Sequence, residues 1–222
     1  MKPSAVRLEP PESQPELARR ERKKRQTRDA LLHAALSLFE RQGYDHTAVR
    51  EITDAVDVSE RTFFRYFASK EDLVMSFIRE RTEVFMRSLG ARPPEEDPLT
   101  AIRNSYHDSL VEHATTQGDA GEKVATYLSV ISLIEATPAL LAANLRYLHD
   151  HEAEIVGILA AREGVDPATD RRPRLLATMF GAIAFLASQE WRDKGCRGPE
   201  IMATAFDAYA DQLTAGVTGH WT

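Results

Sequence analysis

Residues 60–67 read Glu-Arg-Thr-Phe-Phe-Arg-Tyr-Phe. The chemistry that this segment suggests is recognition of a polyanion with ordered base edges. On a helix it exposes Glu60, Arg61, Thr62, Arg65 and Tyr66, while Phe63 and Phe67 turn inward. The guanidinium fork of Arg spans O6 and N7 of guanine, and a helix of this size fits the major groove of B-DNA. Glu60 could accept from cytosine N4 or serve only as a negative charge at a helix N-terminus. Little else in the chain suggests chemistry. His149 and His151 would point about 200° apart on a helix, unsuited to one metal. His107 and His113 are equally mismatched, and neither a phosphate-binding loop nor a dinucleotide glycine fingerprint is present. Cys196 is the one cysteine, so no disulfide within the chain can form. That fits a reducing cytosol, and a loop cysteine of this kind is expected to be inert.

The elements that must position Arg61 are short. Leu31, Leu32, Ala35, Leu36, Leu38 and Phe39 form a stripe at spacings of three and four, which predicts a helix near 25–42 ending at Gly43. A second helix is expected at 47–55, with Thr47 as its N-cap and Ile52, Ala55 and Val56 inward. The turn Asp57-Val58-Ser59 leads to a third helix, 60–66. Three such helices with a tight turn have helix-turn-helix dimensions. Ser69 then caps a fourth helix, 70–89, whose Leu73, Phe77, Ile78 and Phe85 face inward.

The charge is distributed to match. The 222 residues carry a net charge of −6. Residues 1–70 hold 14 Lys/Arg against 11 Asp/Glu, a net of +3, and the remainder holds 14 against 23, a net of −9. A basic working surface on an acidic body is the implication. Residues 1–18 are proline-rich without periodicity and are expected to be a disordered arm. The run RRERKKRQTR, residues 19–28, has seven basic residues and one acidic one. It is expected either to follow the DNA backbone or minor groove or to be a solvated cluster opening the first helix. The absence of an apolar opening segment argues against a signal peptide. The longest apolar stretch, Leu175 to Ala187, is too short for a bilayer of roughly 30 Å. A cytoplasmic protein without membrane contact is expected.

Residues 43–74 resemble the signature of the TetR family of transcriptional regulators. They present Gly43-Tyr44, Thr47, an Ile52-centred core, Val58-Ser59, Thr62 followed by Tyr66-Phe67, and Ser69-Lys70-Glu71. The resemblance extends over roughly 25–80, and within it residues 60–67 and 69–72 are similar to a subgroup that includes mycofactocin-type regulators, whose members are associated with acyl-CoA-like effectors. It implies a homodimer that binds palindromic operator DNA and releases it when a small apolar or acyl-type effector binds. It also implies that Thr47, Tyr66 and Lys70 hold phosphates, and that Arg50, Arg61 and Thr62 read base edges. Ser59, Phe64 and Arg65 complete the expected DNA-binding set. Phe64 stands where the family carries a tyrosine, so one phosphate-contacting hydroxyl is missing.

Beyond Pro93-Pro94 the sequence predicts helices near 98–117, 122–135, 138–163, 171–194 and 199–215, several opened by proline at the first turn. The fold class is therefore all-α with about nine helices, divided into a disordered arm (1–18), a DNA-binding domain (19–69) and an effector-binding and dimerisation domain (70–222). The resemblance implies a ligand cavity. Tyr106, Tyr127, Leu128, Ile131, Leu145, Met179, Phe180, Ile183 and Trp191 are candidate lining residues, each of which plain core packing would also explain. The stripes Leu176, Phe180, Ile183, Ala187 and Ile201, Ala205, Phe206, Tyr209, Leu213 suggest a four-helix dimer interface. No enzymatic cofactor is expected. The competing reading, a helical lipid carrier or enzyme with no DNA role, would require a coupled pair of buried ionisable groups.

Overall fold

The computed structural model describes residues 14–115, 120–194 and 199–216. Among the described residues the regular structure is nine α-helices: α1 (Gln14–Gln42), α2 (Val49–Ala55), α3 (Glu60–Tyr66), α4 (Lys70–Ala91), α5 (Pro98–Thr115), α6 (Ala120–Ala136), α7 (Pro138–Glu163), α8 (Arg172–Asp193) and α9 (Pro199–Gly216). The chain divides into two compact units, Met1–Ala68 and Ser69–Thr222. The loop holding Cys196 and residues 1–13 lie outside the described residues.

In the first unit, α1 buries Leu31, Leu32, Ala35, Leu38 and Phe39, with Ile52 from α2 and Phe63 and Phe67 from the α3 segment completing the core. Gly43 stops α1. Its φ of +86° is the left-handed region that a side chain resists, and its N–H donates to the Phe39 carbonyl at 2.9 Å. Tyr44 then sets its ring 5.0 Å from that of Phe39. The expectation that Thr47 caps α2 is overturned. Thr47 is only 2% exposed, and its hydroxyl donates backwards to the Gly43 carbonyl at 2.8 Å. Ala48 occupies the cap position instead. Its N–H is satisfied by the Glu51 carboxylate at 2.8 Å, and the Gln42 side-chain amide donates to the same carboxylate at 3.1 Å. The α1–α2 corner is thus closed by a polar side chain from each helix.

The first helix also begins much earlier than its apolar stripe does. Residues 14–24 are helical, so the arm expected over 1–18 has its boundary corrected and the basic run 19–28 is part of α1. Periodicity missed this because there is no apolar face to detect: residues 19–26 are all exposed. Good helix formers such as Arg, Lys, Gln and Glu propagate a helix from an already formed turn without needing burial.

The second unit is built around α4, which packs on α5 and α7, with α8 on α7 and α9 and α9 on α5. Ser69 caps α4, accepting from Asp72 N–H at 3.0 Å. The Asp72 carboxylate does not return to the cap but pairs with Arg79 at 2.6 Å. The α4–α5 connection is held by Arg162 of α7, which donates to the carbonyls of Arg92 at 2.7 Å and Pro93 at 3.0 Å. Arg92 in turn pairs with Glu96, and that hydrogen bond holds the Glu96 carboxyl below its ordinary pKa. Asp97 accepts from the N–H groups of Leu99 and Thr100 at 3.1 and 3.0 Å, opening α5 immediately before Pro98. Gly164, at φ +65°, closes α7.

Glycines separate the backbone requirement from the space requirement. A Cβ at Gly43 would meet nothing closer than a His46 ring carbon at 3.9 Å, and one at Gly157 on the exposed side of α7 would meet nothing within 4 Å. Gly43→Ala is expected to destabilise the fold by about 1–2 kcal/mol through the left-handed backbone alone. Gly157→Ala is expected to stabilise it by roughly 1 kcal/mol through helix propensity. Denaturant unfolding followed by circular dichroism checks both, and equal effects at the two positions would refute the backbone explanation.

Candidate nucleic-acid interface

The third helix is placed by its caps and its aromatic anchor. Asp57, in the left-handed region at φ +53°, reverses the chain after α2, and Val58 N–H donates to the Thr53 carbonyl at 3.1 Å. Ser59 caps α3 as its sequence position suggests, accepting from Thr62 N–H at 3.1 Å. Its oxygen also lies 3.0 Å from the Thr62 hydroxyl. Phe63 is fully buried and Phe67 nearly so, their rings 5.5 Å apart. The Arg28 guanidinium of α1 lies over the Phe67 ring at 5.4 Å. Rotation of α3 about its own axis would expose Phe63, so this burial fixes which residues point outward.

Those outward residues are Glu60, Arg61, Phe64 and Arg65, with Thr62 and Tyr66 half-buried at the edge. Arg65 is held in place: its guanidinium lies 4.9 Å from the Tyr66 ring centre and donates to the Tyr66 hydroxyl at 3.1 Å. On α2, Arg50 projects beside Asp54 at 3.8 Å, with both side chains largely exposed. Such a pair contributes little in water, so a phosphate can compete for the arginine. Lys70, the remaining expected phosphate ligand, is the first residue of α4 and belongs to the second unit. Thr47 is the exception within the expected set. Its hydroxyl is turned inward to Gly43, so it does not present the oxygen that holding a phosphate requires. The basic run 19–28 adds a cationic surface along the start of α1.

The expected cavity residues fare unevenly. Tyr106 and Phe180 come together in an aromatic cluster fed by four helices. Phe180 stacks on Phe85 of α4 at 4.4 Å, Tyr106 of α5 stacks on Phe206 of α9 at 4.2 Å, and Phe180 lies edge-on to Tyr106 at 6.0 Å. The Arg81 guanidinium is 5.7 Å from the Tyr106 ring centre. Ile183 and Trp191 are buried in the same unit, while Ile131 and Met179 are half-buried. Leu145 is a correction: it is 58% exposed on α7 and lines no interior surface. The side chains of Tyr127 and Leu128 lie outside the described residues. Phe85, Arg81 and Phe206 are not among the cavity residues expected from sequence: Phe85 reads as inward packing of the fourth helix, Phe206 as part of the dimer stripe, and Arg81 carries no apolar signal. Among the described residues no Asp, Glu, Lys, Arg or His is buried, and no cluster of metal-ligating side chains occurs.

The expected dimer stripes are divided: Leu176, Phe180, Ile201, Tyr209 and Leu213 are half-buried. Ile183, Ala187, Ala205 and Phe206 are buried within the subunit itself. Among the described residues of the second unit, the large apolar side chains left exposed are Leu141, Leu145 and Leu148 on α7 and Leu175, Phe185 and Leu186 on α8. Thr178 of α8 donates to Glu152 of α7 at 2.7 Å, joining the two helices beside these residues. Among the described residues no helix is long and apolar enough to cross a membrane.

This architecture has known counterparts. Residues 31–76 match the family described as bacterial regulatory proteins, tetR family, and residues 96–217 match the family described as MftR C-terminal domain. The HTH-type transcriptional regulator TcmR of Streptomyces glaucescens is 39% identical over 204 residues, covering 91% of this chain and 89% of that protein. The HTH-type transcriptional repressor KstR of Rhodococcus jostii is 35% identical over 108 residues, 45% of this chain and 48% of that protein. A crystal structure of a transcriptional regulator from Pseudomonas aeruginosa PAO1 superposes with a TM-score of 0.54 at 18% identity, over 87% of this chain and 92% of that one. With its helix-turn-helix unit and its all-helical second unit both matched, the chain belongs to the TetR family of transcriptional regulators.

Proposed function

We propose that the protein is a ligand-responsive repressor that binds a palindromic operator as a homodimer in the cytoplasm and leaves it when a small apolar or acyl-type molecule binds the second unit. The observation that carries this reading is the outward face of α3: two arginines and a phenyl ring directed away from a buried Phe63–Phe67 anchor. Arg61 reads a base edge, with Arg50 and Thr62 beside it. Arg65, Tyr66 and Lys70 hold the phosphate backbone, and Ser59 fixes the helix that presents them. The name of the Rhodococcus relative, a transcriptional repressor, supports repression.

The effector acts by population shift, so only its different affinity for DNA-competent and DNA-incompetent states matters. The aromatic cluster around Phe180 is the candidate sensing region. It involves α4, and α4 follows α3 after only Phe67, Ala68 and Ser69. A displacement of α4 is thereby delivered to the recognition helix through a very short tether.

The second copy of the chain covers the exposed leucines and Phe185 of α7 and α8. Exposed large apolar side chains on two packed helices are better covered by a partner than left in water, and two-fold pairing would set two recognition helices about 34–36 Å apart, one turn of DNA.

Fluorescence anisotropy with an operator selected from a random duplex pool tests the reading at several salt concentrations. Arg61→Ala is expected to lose about 1–3 kcal/mol and to relax preference at one base position. The triple variant Lys23→Gln/Lys24→Gln/Arg25→Gln is expected to weaken all sequences alike, and to lower the slope of log affinity against log salt by about 0.9 for each phosphate no longer neutralised. Normal binding by Arg61→Ala would overturn the assignment of α3. Phe185→Glu is expected to shift sedimentation from dimer to monomer while leaving the helical content unchanged; a persistent dimer would place the interface elsewhere.

A further inference from the structure

Phe64 is unusual among the large apolar residues of the first unit in being 53% exposed. A phenyl ring in water is unfavourable, so its position needs a reason. At about 100° per residue, Phe64 and Arg65 stand roughly 60° and 40° to either side of Arg61, and the buried Phe63 and Phe67 lie on the opposite side of the helix. Phe64 therefore stands on the outward face beside Arg61, the residue assigned to base reading, on the flank nearer the buried Phe67. Phe63, itself fully buried, meets the Phe64 ring edge-on at 5.3 Å with an interplanar angle of 82°.

The chemistry of a phenyl ring narrows what it can recognise. It has neither a donor nor an acceptor, so it cannot hydrogen-bond a phosphate or a base edge. In the major groove the C5-methyl of thymine is the apolar group that a base pair offers. We infer that Phe64 is a specificity-determining residue that packs against a thymine methyl adjacent to the base read by Arg61. Each operator half-site then carries a thymine that the protein distinguishes by shape and apolarity. The inference rests on the DNA-binding reading above and deepens it by naming the base.

Deoxyuridine gives the test, because it keeps every hydrogen-bonding group of thymidine and lacks only the methyl. The operator recovered from the random pool is resynthesised with deoxyuridine at one thymidine position of each half-site at a time. Wild type is expected to lose affinity about fourfold at one position per half-site, equivalent to ~0.8 kcal/mol for one buried methyl. Phe64→Ala is expected to bind the thymidine and deoxyuridine operators equally, whereas Phe64→Leu retains most of the discrimination. Because Phe64 is exposed, both variants should fold, and circular dichroism verifies that they do. Two results overturn the inference while leaving the DNA-binding reading intact: no thymidine position sensitive to methyl removal, or the same sensitivity in Phe64→Ala. If no sequence-selective duplex is recovered by wild type, the DNA-binding reading itself fails and this inference fails with it.

Discussion

The burial of Phe63 fixes the direction of everything α3 presents. A helix of seven residues has too few internal hydrogen bonds to persist alone. It exists because one face inserts aromatic side chains into a core made by Leu31, Ala35, Phe39 and Ile52. The Ser59 cap fixes where the helix starts, and the ring of Phe63 fixes how it is rotated. The two together decide that Arg61 and Arg65 point away from the core. A cap alone would leave the rotation free, and a buried ring alone would leave the first turn frayed.

Electrostatics acts on this scaffold in a graded way. The helical segment 19–28 is basic on every side, because its seven cations are spread around the helix rather than confined to one stripe. Such a rod attracts any polyanion from several directions but orients none. Its cations also repel one another along α1, and neutralisation by phosphate would relieve that repulsion. On the proposed reading, orientation comes from the face of α3, where the exposed Arg61 guanidinium and the exposed Phe64 ring make opposite demands on neighbouring bases. The acidic remainder of the chain, with a net charge of −9 over residues 71–222, discourages DNA from settling on the second unit.

Much of the architecture is legible in the sequence because its signals are local. Proline at the first turn announces α5, α7 and α9 within a few residues, and the Ser59 and Ser69 caps announce α3 and α4. The outward arginines fall on the correct face because Phe63 and Phe67 break the polar pattern at helical spacing. The failures have equally definite causes. Thr47 is a good capping residue by type, but its hydroxyl bonds the Gly43 carbonyl, and a glutamate three residues after Ala48 supplies the cap hydrogen bond instead. The opening turns of α1 carry no apolar stripe, so nothing in their periodicity distinguishes helix from coil. Leu145 has the type of a lining residue, and only the rotation of α7 shows that it faces outward.

Part of the expected dimer stripe is taken by the subunit's own core, for a reason that is itself informative. From Leu175 to Ala187, α8 is apolar nearly all the way round, so periodicity marks no single face. The structure resolves this by giving the inner face, with Ala177, Ile183 and Ala187, to the subunit core and leaving Leu175, Phe185 and Leu186 outside. A helix apolar on all sides is stable in water only when both faces are covered. One subunit covers one face. The other adjoins the leucines of α7, held beside it by Thr178 and Glu152. The same sequence property that hides the interface from periodicity therefore argues that α8 has two partners: its own core and a second copy of the chain.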